Sequence, residues 1–365
     1  MSDRLRVTFV TRKWPPAMGG METYSKALTD ALRKDVDLRV IALPGNRDGS
    51  VPGTLALLRF GALTAVRLLM ARRPDPITHI GDMASWPLGL CARLRRPGAQ
   101  RVLSAHGTDV SYPLRGGVLG RLYGAYLRLG ARLLGPTTVI ANSAATAEEA
   151  RVHGFRNTVV VPLAAYVRTQ TIGYDGSRRM LFSGRLIPSK GLTWFAAEVL
   201  PQLPDDIGLD VAGTVWDEGE RRALDDPRVR HVGHLDQQTL WQAYAKALCV
   251  VVPNVDRPNG GFEGFGLVAV EAAAAGGLVL VSNHSGLKDA AIHGETGFHL
   301  PPGDAAAWGA KIREIAEWDS ARRSAFTQNA RRVCETRFSW QRVADDTLRQ
   351  YRASGSAPRS LRAGD

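Results

Sequence analysis

"LCVVVPNVDRPNGGFEGFGLVAVEAAAAGGLVLVS" spans residues 248–282. "LCVVVPN" and "GLVLVS" are short, continuously apolar runs, as expected of strands covered on both faces. Gly264 and Gly266 place a helix start near Gly266–Leu267, and Gly276–Gly277 stop it. Strand, helix, strand is a β-α-β unit. Its charge pattern is unusual: Glu263, just before the helix, and Glu271, one turn inside, are the only charged residues from Phe262 to Ser282. A solvent-facing helix would carry Lys and Arg. The plain reading is an N-terminal Glu stabilised by the helix dipole on an Ala-rich packing helix. The functional one is a pair of acceptors for adjacent sugar or ribose hydroxyls, beside the free N–H groups of Phe265, Gly266 and Leu267, which suit an anion.

The same alternation runs along the whole chain. "LRVTFV", "LRVIAL", "ITHI", "RVLSAH", "TVIANS" and "TVVVP" read as strands. Helices are expected between them near 21–34, 55–72, 86–95, 117–134 and 144–153. A polar linker, 166–179, precedes "MLFSGR", "GLDVAGT", "RVRHVGHL", "LCVVVPN", "GLVLVS" and "GFHL". Two doubly wound α/β domains follow, with a last helix from about Trp340 to Arg352 and a disordered tail. In such sheets ligands bind beyond the strands' carboxyl ends.

Composition excludes several classes. The 365 residues are 44% hydrophobic and 22% charged, ordinary globular usage. Cys91, Cys249 and Cys334 are far apart, with neither metal spacing nor a disulfide framework, which points to a reducing compartment. Arg4 and Arg6 lead into a strand rather than a signal peptide. Arg59 and Arg67 interrupt the longest apolar run. The net charge of +12 is lopsided: residues 1–170 hold 24 Lys and Arg against 11 Asp and Glu, and the remaining 195 hold 23 against 24. A basic half points to a polyanion, an anionic membrane surface or a phosphorylated partner.

Three further stretches follow strands. In "FSGRLIPSKG" (182–191), Arg185 and Lys190 suit a diphosphate, although a solvated basic loop is equally ordinary. In "TRKWPPAMGGMETYSKAL" (11–28), Gly19 and Gly20 allow backbone approach to a phosphate just before a helix; a surface loop is the plain alternative. In "SAHGTDV" (104–110), His106 follows a strand in the first domain. "DVD" at 35–37 precedes a strand and reads as chance rather than a metal site.

The G-G-x-E loop, the H-G pair, "GRLIPSKG" and the E-x7-E block, in this order, resemble the retaining GT-B glycosyltransferases of family 4, over essentially the whole chain. The resemblance implies two Rossmann-like domains facing a cleft: residues 1–168 for the acceptor, 169–337 for a nucleotide sugar, 338–352 as a helix crossing back, and a 353–365 tail. It implies that Arg185 and Lys190 hold the donor diphosphate, and that Gly19 or Gly20 offers N–H groups to phosphate. Glu271 would take the ribose hydroxyls. Glu263, with the Phe265–Gly266–Leu267 amides, would take the donor sugar, and His106 would contact it near the reacting carbon. No cofactor or metal is expected; the nucleoside diphosphate sugar is a co-substrate. The chain departs from the family pattern at Leu278, where Pro is usual, and at Asp289, where Glu is usual and Lys does not precede it. The "PNVDRPNGGF" lead (253–262) is also longer than usual. These departures bear on sugar identity.

The acceptor implied is lipid-linked or a glycan intermediate, which places the protein in the cytoplasm, peripheral on the inner membrane face. Rival classes are a nucleotide-sugar epimerase, which lacks a second acid–base set, and a nucleic-acid-binding protein. The latter lacks aromatic interleaving, zinc spacing and a recognition helix. In "VLGRLYGAYLRLGARLL" (118–134), Leu119, Leu122, Tyr126, Leu129 and Leu133 recur at helical spacing, with Arg121, Arg128 and Arg132 on another face. An outer helix packed on the sheet accounts for the leucines. Docking on an anionic membrane surface accounts for the arginines.

Overall fold

The computed structural model describes residues 4–167, 172–256 and 261–353. The expected tail from 354 onward, the linker positions 168–171 with the boundary at 168/169, and positions 257–260 of the long lead lie outside the described residues.

The chain builds two parallel six-stranded sheets. The first holds β1 (Arg6–Trp14), β2 (Asp37–Pro44), β3 (Ile77–Ile80), β4 (Gln100–Ala105), β5 (Thr138–Ala141) and β6 (Thr158–Val160), in the order β2-β1-β3-β4-β5-β6. The second holds β7 (Arg179–Ser183), β8 (Gly208–Ala212), β9 (Val229–Gly233), β10 (Val250–Val252), β11 (Val279–Ser282) and β12 (Phe298–Leu300), in the order β12-β11-β10-β7-β8-β9. The central strands are apolar throughout because both faces are covered: every residue of β5, β10 and β11 is buried. The order of strands reverses between β1 and β3 in the first sheet, and between β7 and β10 in the second. A crevice opens at each reversal, and the two crevices face each other.

Right-handed crossovers assign the helices to faces. Connections running toward β6 place Thr54–Leu69, Trp86–Arg95, Gly117–Leu134 and Ala144–Val152 on one face of the first sheet. Leu68, Trp86, Leu103, Leu127 and Val139 share the core beneath them. Gly20–Leu32 runs the other way and lies on the opposite face, where the final helix, Trp340–Ala353, joins it. That last helix is fixed to the first domain by polar contacts. Tyr351 bonds Nδ1 of His79 at 2.6 Å, Gln100 donates to the Gln350 carbonyl at 2.8 Å, and Arg342 donates to the Pro162 carbonyl at 2.7 Å.

Gly117–Leu134 corrects the reading of its leucines. Its buried side is Gly120, Gly124, Leu127, Gly130 and Leu134. A Cβ on Gly130 would stand 2.8 Å from the Trp86 ring, so the helix sits against its neighbour at near backbone distance. Leu119, Leu122, Leu129 and Leu133 are therefore turned out to solvent, where Arg121, Arg128 and Arg132 are also exposed. Tyr126 is half-buried, its hydroxyl donating to the Ala84 carbonyl at 2.7 Å. Glycines read as weak helix positions, which hid the packing face.

Candidate active site

The Leu267–Ala275 helix is bland because it is enclosed. Ala272 to Ala275 are all buried, between the second sheet and the helices Gln237–Lys246 and Ser320–Arg337. Gly266 starts the helix at φ 90°, and a Cβ there would meet Leu287 at 2.3 Å, so glycine is required on both counts. Gly276 ends it at φ 90°.

Glu263 and Lys190 meet at the reversal of the second sheet. Lys190 lies in the loop after β7 and Glu263 in the loop after β10, strands that are neighbours. The Lys190 ammonium is ion-paired and hydrogen-bonded to the Glu263 carboxylate, and Asn254 donates to the same oxygen at 3.1 Å. Burial pushes the Glu263 carboxyl up. The Lys190 charge and hydrogen bond, Asn254 and the Phe265 N–H outweigh burial and hold it below the usual carboxylate range. Glu271 is in the opposite condition: burial alone pushes it up, and no described residue donates a hydrogen bond to it. It lines a cleft of about 780 Å³ between the domains, with Gly19, Glu22, Tyr244 and Trp340 among its walls.

The two domains touch at glycines. A Cβ on Gly107 would lie 2.4 Å from Cα of Gly264, and one on Gly264 would lie 2.1 Å from the His106 carbonyl oxygen. Thr146 donates to the Gly264 carbonyl at 3.2 Å, and the Ala144 N–H donates to Asp289 at 2.9 Å. Asp289, a departure in the sequence, thus ties the second domain to the start of the Ala144–Val152 helix. Gly20 also faces the second domain, where a Cβ would come within 3.2 Å of the Leu267 side chain, so the two glycine-led helix starts adjoin. Gly19 is extended, with its N-terminal helix preceded by no side-chain cap.

His106 is oriented from the first domain. Its Nε2 lies 3.0 Å from the Gly81 carbonyl, which only accepts, so Nε2 carries a proton. The His106 backbone N–H donates to Asp109 at 2.8 Å, and Tyr24 packs edge-on against the ring at 4.6 Å. Burial pushes the Asp109 carboxyl up, against the pull of His106.

The structure brings Lys190, Glu263 and the Phe265 amide together and sets His106 across the glycine contact. Arg185 is exposed, with its guanidinium 5.2 Å from the centre of the Trp216 ring. Phe265 itself is buried against Phe338. Arg121, Arg128 and Arg132 lie on the Gly117–Leu134 helix and are exposed. Sequence reasoning missed Asn254, Asp109 and Trp216. Asn254 and Trp216 follow the ends of β10 and β8, and Asp109 stands three residues after His106, so strand-end position was the signal that would have found them. Of the long 253–262 lead, the described ends are held by His284, which bonds Asp256 at 2.5 Å and the Gly261 carbonyl at 2.7 Å.

A family model described as "Glycosyltransferase Family 4" matches residues 18–164, and one described as "Glycosyl transferases group 1" matches residues 168–333. The chain belongs to the family 4 glycosyltransferases. Among curated relatives, a glycogen synthase of Mycobacterium tuberculosis is 35% identical over 191 residues, covering 49% of this chain and 43% of that protein. An alpha-maltose-1-phosphate synthase of Mycolicibacterium smegmatis is 25% identical over 394 aligned positions, covering 95% of this chain and 99% of its own. The chain thus spans less than half the length of the glycogen synthases it matches. Two solved structures share the fold of this family 4 chain, which is GT-B. Anabaena HepE in complex with UDP and glucose has TM-score 0.72 at 17% identity, covering 96% of this chain and 100% of that one. Sucrose-phosphate synthase from Thermosynechococcus elongatus has TM-score 0.74 at 22% identity, covering 97% and 100%. No helix among the described residues is long and apolar enough to cross a membrane.

Proposed function

We propose that this family 4 glycosyltransferase moves a hexosyl group from a nucleoside diphosphate sugar to an acceptor hydroxyl with retained configuration. The acceptor is lipid-linked or a glycan intermediate, met at the inner face of an anionic membrane. The observation that carries the reading is the Lys190–Glu263 pair at the second sheet's reversal, facing His106 across the Gly107–Gly264 contact. Lys190, Arg185 and the N–H groups at the start of the Leu267–Ala275 helix supply positive potential for the charge that develops on the leaving diphosphate, so no metal is required. Glu271, unpartnered in the cleft, takes the ribose hydroxyls. Glu263 takes hydroxyls of the donor sugar. Held ionised by Lys190 and Asn254, it is a hydrogen-bond acceptor rather than a free nucleophile, which favours front-face attack over double displacement. That HepE is described with UDP-glucose supports a nucleotide-sugar donor.

Native mass spectrometry against a panel of nucleotide sugars tests this reading. One donor class should be retained; retention of none would remove the proposal. Product analysis without acceptor separates the rival: a transferase releases free sugar slowly, whereas an epimerase returns a new nucleotide sugar.

A further inference from the structure

From Gly49 to Ala147 the chain has twelve arginines, no lysine and only three acids. All three acids are turned inward. Asp82 is buried and paired with Arg12, Asp109 is buried, and Asp75 accepts the Thr8 hydroxyl at 2.6 Å. The outer faces of Thr54–Leu69 and Gly117–Leu134 therefore carry no acid at all. Arg59, Arg67, Arg121, Arg128 and Arg132 are exposed there, Arg72 is exposed three residues past the first of these helices, and none forms an ion pair among the described residues. Between them stand exposed apolar side chains: Leu55 at 80%, Met70 at 76% and Leu119 at 68%. The packing of Gly117–Leu134 through Gly120, Gly124, Gly130, Leu127 and Leu134 leaves Leu119, Leu122, Leu129 and Leu133 exposed. Both helices pack against Trp86–Arg95 and lie on one face of the first sheet.

We propose that this face seats on an anionic bilayer, and that the acceptor enters from it. Arginines of one sign, dispersed among apolar side chains over two adjacent helices, match a lipid headgroup layer above an acyl boundary. Leu119 and Leu122 also wall a cleft of about 690 Å³ whose other walls include Arg12, Lys13, Thr108 and Asp109. Asp109 accepts the His106 N–H, so the cleft leads from the lipid-facing helix to the transfer site. The cleft's role rests on the transferase reading; the seating surface does not.

Co-sedimentation of the whole chain with vesicles of phosphatidylglycerol and phosphatidylcholine tests the proposal, alongside calorimetry of nucleoside diphosphate binding. Wild type should bind these vesicles and not pure phosphatidylcholine. Arg121→Glu, Arg128→Glu and Arg132→Glu together should lower partitioning by at least about a hundredfold at low salt. Leu119→Ser with Leu122→Ser, both exposed and so compatible with folding, should remove the binding that persists at high salt. Hydrogen exchange with vesicles should protect 54–69 and 117–134, and leave 20–32 and 340–353 on the opposite face unchanged. Absence of sedimentation at low salt, protection on the opposite face, or a solution dimer dissolved by the leucine changes would each overturn the proposal. Nucleotide binding that survives in such a case leaves the transferase reading standing; vesicle binding without nucleotide binding does the reverse.

Discussion

Lys190 and Glu263 come from loops 73 residues apart in sequence and close on each other as an ion pair at the carboxyl ends of adjacent strands. On the proposed reading, the donor diphosphate competes for the same ammonium. Lys190→Ala and Arg185→Ala should each weaken nucleoside diphosphate binding by about 1.5–3 kcal/mol, the scale of a lost charged hydrogen bond. Calorimetry measures this, and wild-type affinity in both variants would misplace the phosphate site.

Glu271 and Glu263 should divide the donor between them. Glu271→Ala weakens binding of the free nucleotide, because the ribose is present there. Glu263→Ala leaves nucleotide affinity intact or improved, since Lys190 is freed, yet reduces turnover severely. Equal losses of nucleotide affinity in both variants contradict this division.

Gly264 has no room for a side chain, with a Cβ only 2.1 Å from the His106 carbonyl. Gly264→Ala should prise the domains apart at their contact. We expect kcat to fall at least about a hundredfold, the scale expected when reacting groups are displaced by about an ångström. Nucleotide affinity should change little, because Lys190 and Glu271 lie within the second domain. Steady-state kinetics with parallel calorimetry separates the two effects.

His79 sets an acid limit on stability. Burial is the main cause that pushes its imidazole down, to about 3, with His106 adding to it, so it is neutral in the folded state. The unfolded chain protonates near pH 6.5. His79's contribution is therefore complete above that value and is lost progressively as pH falls toward 3. About 2 kcal/mol should disappear between pH 7 and pH 5. Denaturant unfolding at both values checks it, and His79→Gln should flatten the slope by that amount.

Transfer should continue in EDTA, because in the proposed site fixed cations and amides take the charge of the diphosphate. A strict divalent-metal requirement in an activity assay contradicts that assignment.

Much of this was legible in the sequence, for physical reasons. Strands such as "CVVVP" and "GLVLVS" are apolar because parallel sheets are covered on both faces, so their number and succession along the chain could be read directly. Gly266 and Gly276 marked the helix ends because φ 90° is open to glycine. What stayed hidden was long-range or glycine-borne. Gly107 and Gly264 read as loop residues, yet they form the domain contact. Leu119 and Leu122 read as core, because three of the five residues on the packing side of their helix are glycines. The pairing of Lys190 with Glu263 and the stacking of Arg185 on Trp216 depend on which strands are neighbours in the second sheet, which spacing alone does not give.

The most direct test is the anomer released from an α-linked nucleotide sugar, followed by proton NMR during slow hydrolysis without acceptor. The donor is the one that native mass spectrometry retains. A retaining site built around Glu263 should release the α-anomer first, with mutarotation following, and Glu263→Ala should abolish the signal. Initial release of the β-anomer, or unchanged release in Glu263→Ala, contradicts the account.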